Sequence, residues 1–271
     1  VAHLLRLKLT LLRNGLRRSP WQLVGMAIAG LYALGVVATL VIALVLLRGA
    51  GPVTAHTAVV LGGSAAVLGW GVVPVVASAT DMTLDPARFT TFAIPMKQML
   101  AGLALGGLIG IPGLATALVA LSTVATWSRG VLPALAALLG ACLGVMTCVV
   151  LAKTVTTATA SLAASRRFKD ISAIAFMVPL VLLGPIVAGV GRGISASTGF
   201  LPEFTRSLSW TPLGAPWALG GDIASGRPAE AGVKLLLSVV VLGALAWCWK
   251  LLLERALVTP PYAGAGKRRG G

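Results

Sequence analysis

Residues 21–47 read WQLVGMAIAGLYALGVVATLVIALVLL, a run with no charged side chain. The hydrocarbon core of a bilayer is about 30 Å thick, and an α-helix crosses it in about 20 apolar residues. This stretch is long enough to do so with some tilt. In lipid, every backbone N–H and C=O must be bonded within the protein, so only helices and closed barrels span. Gly and Ala abound and period-2 alternation is absent, which argues for a helix and against a barrel strand. Working outward, five more stretches read the same way: Val53–Ala79, Met99–Val124, Val131–Ala152, Ile171–Val190 and Val233–Leu253. With Trp21–Leu47 they predict an all-α fold, a polytopic transmembrane bundle of six helices over residues 21–253. The composition agrees: 57% of the 271 residues are hydrophobic and only 11% are charged. That is too little charge to solvate a soluble domain of this size.

The charges between the spans set an expected orientation. Counted on alternate sides, 16 of the 22 Lys and Arg fall on one side. The other side holds Arg48, Arg129, Arg192, Arg206, Arg227 and Lys234. The richer side faces the cytoplasm, which predicts a multi-pass plasma-membrane protein with both termini cytoplasmic. The net charge of +15 does not imply nucleic acid as a partner. The basic residues are dispersed at span ends, where they meet anionic lipid headgroups, and no aromatic-basic platform accompanies them. Residues 1–20 carry no small-residue cleavage site, so no cleaved signal peptide is expected. Cys142, Cys148 and Cys248 all lie inside spans and suggest neither a disulfide framework nor a zinc site.

Before the first span, Leu5, Leu9, Leu12 and Leu16 recur at helical spacing, with Arg6, Arg13 and Arg17 on another face. Residues 1–20 therefore read as an amphipathic interfacial helix, or as a basic lead-in that only sets topology. Between spans two and three, Asp85 followed by Pro86 is a helix start, with a side-chain acceptor at N-cap and proline at N1. Pro95 ends that short inner helix. Asp81, Asp85, Arg88 and Phe89 stand available to a partner, or the segment is a capped turn without one.

In span three, Gly102, Gly106 and Gly110 recur every four residues, and Gly140 and Gly144 repeat the spacing in span four. Small residues so spaced admit a neighbouring helix at close range. The reading is tight packing of spans three and four, within the bundle or across a dimer. Pro112-Gly113 predicts a kink or a break in span three. Thr154, Thr156, Thr157, Thr159 and Ser161 end span four, lining a polar vestibule or marking a helix that emerges at the interface.

Residues 191–232 hold Phe200, Phe204, Trp210, Pro212, Pro216 and Trp217. The segment is too apolar for a free loop and too broken for a span. It reads as short helices or a re-entrant hairpin sunk into the outer interface. Residues 254–271 turn polar and read as a cytoplasmic tail or linker.

Much chemistry is missing. No span core holds an acidic residue, which counts against a proton- or sodium-coupled carrier. Lys153, Lys234 and Lys250 sit near span ends and can snorkel. His3 and His56 lie far apart without neighbouring ligands, so no catalytic or metal role is expected. Lys153-Thr154 lacks the preceding glycines of a phosphate loop. The chain is not expected to be an enzyme. If it transports actively, another polypeptide must supply the energy.

A basic lead helix, a span pair, a short inner helix at Asp85-Pro86-Ala87-Arg88-Phe89, four more spans and an outer Trp210-Thr211-Pro212-Leu213-Gly214-Ala215-Pro216-Trp217 make a particular order. It resembles the membrane subunit of ABC-2-type ATP-binding cassette exporters, particularly actinobacterial permeases. The resemblance covers nearly the whole chain. It implies that Asp81 to Phe92 form a coupling helix docking on a separate ATPase subunit, which would bind the ATP and Mg. It also implies a second permease bundle, as a homodimer or as the other half of a longer chain, and outer helices that close the export path. Pro86 and the Gly102–Gly110 face would then carry motion into span three. A membrane-embedded interaction or assembly protein without transport activity is the alternative.

Overall fold

The computed structural model describes residues 20–77, 96–108, 110–162 and 200–258. Among these the chain is helical with no strand. The elements are α1 (Pro20–Leu46), a single 3-10 turn (Leu47–Gly49), α2 (Pro52–Ala77), α3 (Met96–Leu108) and α4 (Ile111–Thr126). Then come α5 (Val131–Leu162), α6 (Phe200–Leu208), α7 (Ala215–Ala224) and α8 (Pro228–Val258). Three of them begin on proline, where the missing N–H is unneeded. The lead helix over residues 1–18, the Asp81–Phe92 segment, the fifth stretch Ile171–Val190 and the polar tail from residue 259 lie outside the described residues.

Four helices are long and apolar enough to cross a membrane: α1, α2, α5 and α8. A fifth candidate is the pair α3–α4, bent by 76°. The bend follows from Pro112. It has no N–H to offer the Leu108 carbonyl, and α3 ends there while α4 restarts at Ile111. Thr116 Oγ1 donates to the Pro112 carbonyl at 2.8 Å and accepts from Trp70 Nε1 of α2 at 3.1 Å, which ties the restarted helix to the bundle. Thr126 of α4 similarly donates to the Leu44 carbonyl of α1 at 2.7 Å.

Helix α5 is the hub: α2, α4, α7 and α8 all pack on it, while α1 packs on α4. The core joins Val59, Val60 and Val67 of α2 to Ala141, Val145 and Cys148 of α5 and to Trp217 and Ala218 of α7. The outside is apolar as well. Leu31, Tyr32, Leu132, Leu236 and Trp247 are each more than half exposed. Contiguous exposed apolar surface on this scale suits lipid rather than water.

Helix α5 runs ten residues past the expected end of span four. Among the described residues, the threonines at its end bond back to their own helix. Thr154, Thr156 and Thr157 donate to carbonyls four residues back, and Thr159 to one three back. Thr154 also reaches the Leu245 carbonyl of α8 at 3.5 Å.

Candidate functional site: a short helix in a glycine socket

The segment after residue 200 is a helical hairpin. Helix α6 is amphipathic: Phe200 and Phe204 stack at 6.2 Å on its exposed side, and Thr205 is fully buried. A turn at Ser209–Gly214 follows, closed by backbone bonds from Trp210 to Ser207 and from Thr211 to Leu208. Helix α7 is about 15 Å long at 1.5 Å per residue, half a bilayer core, so it cannot span. Ala215 through Asp222 are all buried nevertheless. Of the segment expected over residues 191–232 as short helices or a re-entrant hairpin, the described residues form the short helices α6 and α7, and residues 228–232 already open α8.

Glycines make the room. The Trp217 ring lies between Gly63 of α2 and Gly144 of α5, and a Cβ on Gly144 would sit 2.5 Å from it. Gly140 lies under the Pro216 carbonyl, and a methyl group on Gly221 would collide with the His56 ring. Gly140 and Gly144 therefore receive α7 rather than the third span. Gly107, not Gly106, faces α5, through Val149. Gly102 is buried in α3, while Gly110 sits in the break after that helix. The Gly102–Gly106–Gly110 row is not one helix face, because the helix carrying it stops at Leu108.

Charges gather at the far end of α7. Asp222 and Lys234 are both fully buried and meet at 2.6 Å between Oδ2 and Nζ. Arg227 reaches Asp222 Oδ1 at 3.0 Å, and His56 Nε2 stands 3.5 Å from the same oxygen. Glu230 joins Arg227 at 3.2 Å and Lys234 at 3.7 Å, with Arg206 of α6 at 3.8 Å. The Trp210 ring lies 4.9 Å from the Lys234 ammonium, a cation–π contact. Local backbone chemistry sets this up. Gly226 has φ +72°, which lets the Arg227 and Gly226 N–H groups close α7 onto the Asp222 and Ile223 carbonyls. That turn brings Arg227 back over Asp222, and Pro228 starts α8 at once. Burial alone would push the Asp222 carboxyl up; the His56 and Lys234 contacts outweigh it and hold the group below the usual carboxylate range.

Lys234 does not snorkel, contrary to the sequence expectation. It points into the protein because Asp222, Glu230 and Trp210 are there to receive it. His56, given no role from sequence, stands against the same carboxylate. Trp210 is partly exposed and reaches Lys234, Pro212 is exposed in the turn, and Pro216 and Trp217 are buried in the socket. Asp81, Asp85, Pro86, Arg88 and Phe89 lie outside the described residues.

Among the described residues, the cations of the poorer side, Arg48, Arg129, Arg206, Arg227 and Lys234, share one end of the bundle. Arg48 donates to the Ser128 carbonyl at 3.2 Å, and Arg129 donates to the Leu47 and Ala50 carbonyls. The buried Trp127 joins these turns to Ala224 at the end of α7, next to the Asp222 cluster. Lys250 and Arg255 lie at the opposite end of α8. No metal-binding cluster of His, Cys, Asp and Glu occurs among the described residues. Comparison with protein-family models, curated proteins and solved structures finds no match to this chain.

Proposed function

We propose that this chain is the membrane-spanning permease subunit of an ABC-2-type exporter. It forms a translocation path in the plasma membrane and takes its power from a separate ATPase subunit. The observation that carries the reading is the α6–α7 hairpin, whose second helix is buried. It sits at one end of a bundle of membrane-length helices, beside the turns that hold Arg48, Arg129 and Arg227, with Arg206 of α6 and Lys234 of α8 at the same end. By the positive-inside rule that end faces outward. Both termini and the Asp81–Phe92 segment then face the cytoplasm. The full bundle has six spans, with Ile171–Val190 as the fifth, and the 1–20 helix lies on the inner membrane surface.

A short helix seated in a socket suits a closure that moves as a unit, and irregular backbone at membrane depth is tolerated only where protein buries it. The broken span α3–α4 follows the Asp85–Pro86 segment in sequence, so a force applied there enters the bundle through α3. ATP and Mg would be held by the partner subunit, and a second bundle would complete the path. Co-expression with a candidate ATP-binding cassette ATPase tests the proposal. The tagged chain should retain the ATPase on purification, and reconstituted complex should hydrolyse ATP. Purification that never retains any such ATPase would contradict it.

A further inference from the structure

We propose that the Asp222 carboxylate is a latch that holds the α6–α7 hairpin in its socket, and that breaking its contacts releases the hairpin while the surrounding bundle stays folded. This rests on reading the hairpin as a movable closure.

Two observations carry the proposal. The first is how the hairpin is tied. Among the described residues, its side-chain polar links to α2 and α8 converge on Asp222 and Lys234, with Arg206–Glu230 as an exposed addition. Asp222 reaches His56 on α2, Arg227 in the following turn and Lys234 on α8. Lys234 in turn touches Trp210 at the hairpin's tip. The remaining contacts in the socket are van der Waals contacts against glycines, apolar side chains and the Trp127 ring.

The second observation is that the socket leaves polar groups unmet. The Trp217 and Trp127 indole N–H groups, the Ser64 hydroxyl and the Thr205 hydroxyl are buried without a hydrogen-bond partner, and His56 Nε2 and Asp222 Oδ1 meet at 3.5 Å without a hydrogen bond. Buried polar groups without partners are costly, and each gains one when water reaches it. The seated hairpin is thus favoured by packing and the charge cluster and disfavoured by these unmet groups. Such a balance gives two states rather than one rigid plug. A buried ion pair adds little net stability over an apolar pair, so its better-attested use is to fix one arrangement against another.

The test uses the full chain, with Cys142, Cys148 and Cys248 replaced by Ala, in lipid nanodiscs where both faces are accessible. Leu219→Cys reports on the socket, since Leu219 is 2% exposed in α7. Val67→Cys reports on the core, since Val67 is 1% exposed in α2. The probe is a charged, water-soluble maleimide. With the cluster intact, both sites should label slowly. Asp222→Asn and Lys234→Met should each speed labelling at residue 219 by about tenfold or more and leave residue 67 protected. An unchanged rate at 219 would overturn the latch. So would equal acceleration at both sites, because the cluster would then hold the whole bundle rather than the hairpin. No ATPase or substrate is needed, so this result is separable from failure of the permease reading, which is read from ATPase retention.

Discussion

Gly62 and Gly63 are adjacent in α2, yet the structure gives them opposite surroundings. A Cβ at Gly62 meets nothing within 4 Å, whereas one at Gly63 collides with the Trp217 ring. Replacing either by Ala changes helix propensity by the same amount, about 0.8–1.0 kcal/mol in favour of Ala. That contribution cancels when the two variants are compared. What remains is the cost of overpacking at Gly63, about 1–3 kcal/mol. Gly62→Ala should therefore be neutral or stabilising, and Gly63→Ala should be less stable than it by about 1–3 kcal/mol. SDS-driven unfolding in mixed micelles, followed by far-UV circular dichroism, measures the difference. A Trp217→Leu background should close the gap, because the ring that causes the collision is gone. A gap that persists without Trp217, or no gap with it, would refute the socket reasoning.

Four further outcomes are expected. Lys234→Met alone leaves Asp222 buried with one partner fewer and should destabilise by about 3–5 kcal/mol, while Lys234→Met with Asp222→Leu should lose much less, as the same unfolding assay will show. The Asp222 carboxyl is held below its ordinary value of 3.8, so its stabilising contribution is complete above that value and disappears as pH falls through the lower folded value. Stability should then drop on an acid limb that Asp222→Asn lacks. Cys142 and Cys248 are exposed on the apolar outside and Cys148 is buried, so a membrane-soluble maleimide should modify the first two and spare the third. Asp85→Arg should weaken ATPase copurification without changing the amount of chain inserted in the membrane; full retention of the ATPase would count against the coupling segment.

The spans were legible because about twenty apolar residues in a row suit little except a helix that crosses a bilayer. Helices α1, α2, α5 and α8 carry that signal directly. The break in the third span was legible too, since Pro112 removes a specific backbone donor. The hairpin showed itself as a segment too apolar for a loop and too broken for a span. Glycine spacing was less informative. Gly140 and Gly144 announce close approach, but a period of four cannot say what approaches, and the occupants are Pro216 and Trp217, more than seventy residues on. The charge cluster was the least visible part. Its members come from α2, α6, α7, the α7–α8 turn and α8, and His56 is brought to Asp222 only by folding. One signal was present: Asp222 stands alone in the apolar run Ala215–Ala224, and Lys234 lies twelve residues on, beyond a Gly-Arg-Pro turn. A solitary acid in such a run requires a partner, and Lys234 was within reach.

Which end of the bundle faces outward decides whether the hairpin can close an export path. Single cysteines in a cysteine-free chain settle it: Gly49→Cys in the α1–α2 turn, where nothing lies within 4 Å, and Lys267→Cys in the polar tail. On intact cells, an impermeant maleimide should label residue 49 and not residue 267 until the membrane is opened. Labelling of residue 267 on intact cells with residue 49 protected would invert the bundle and contradict the permease reading.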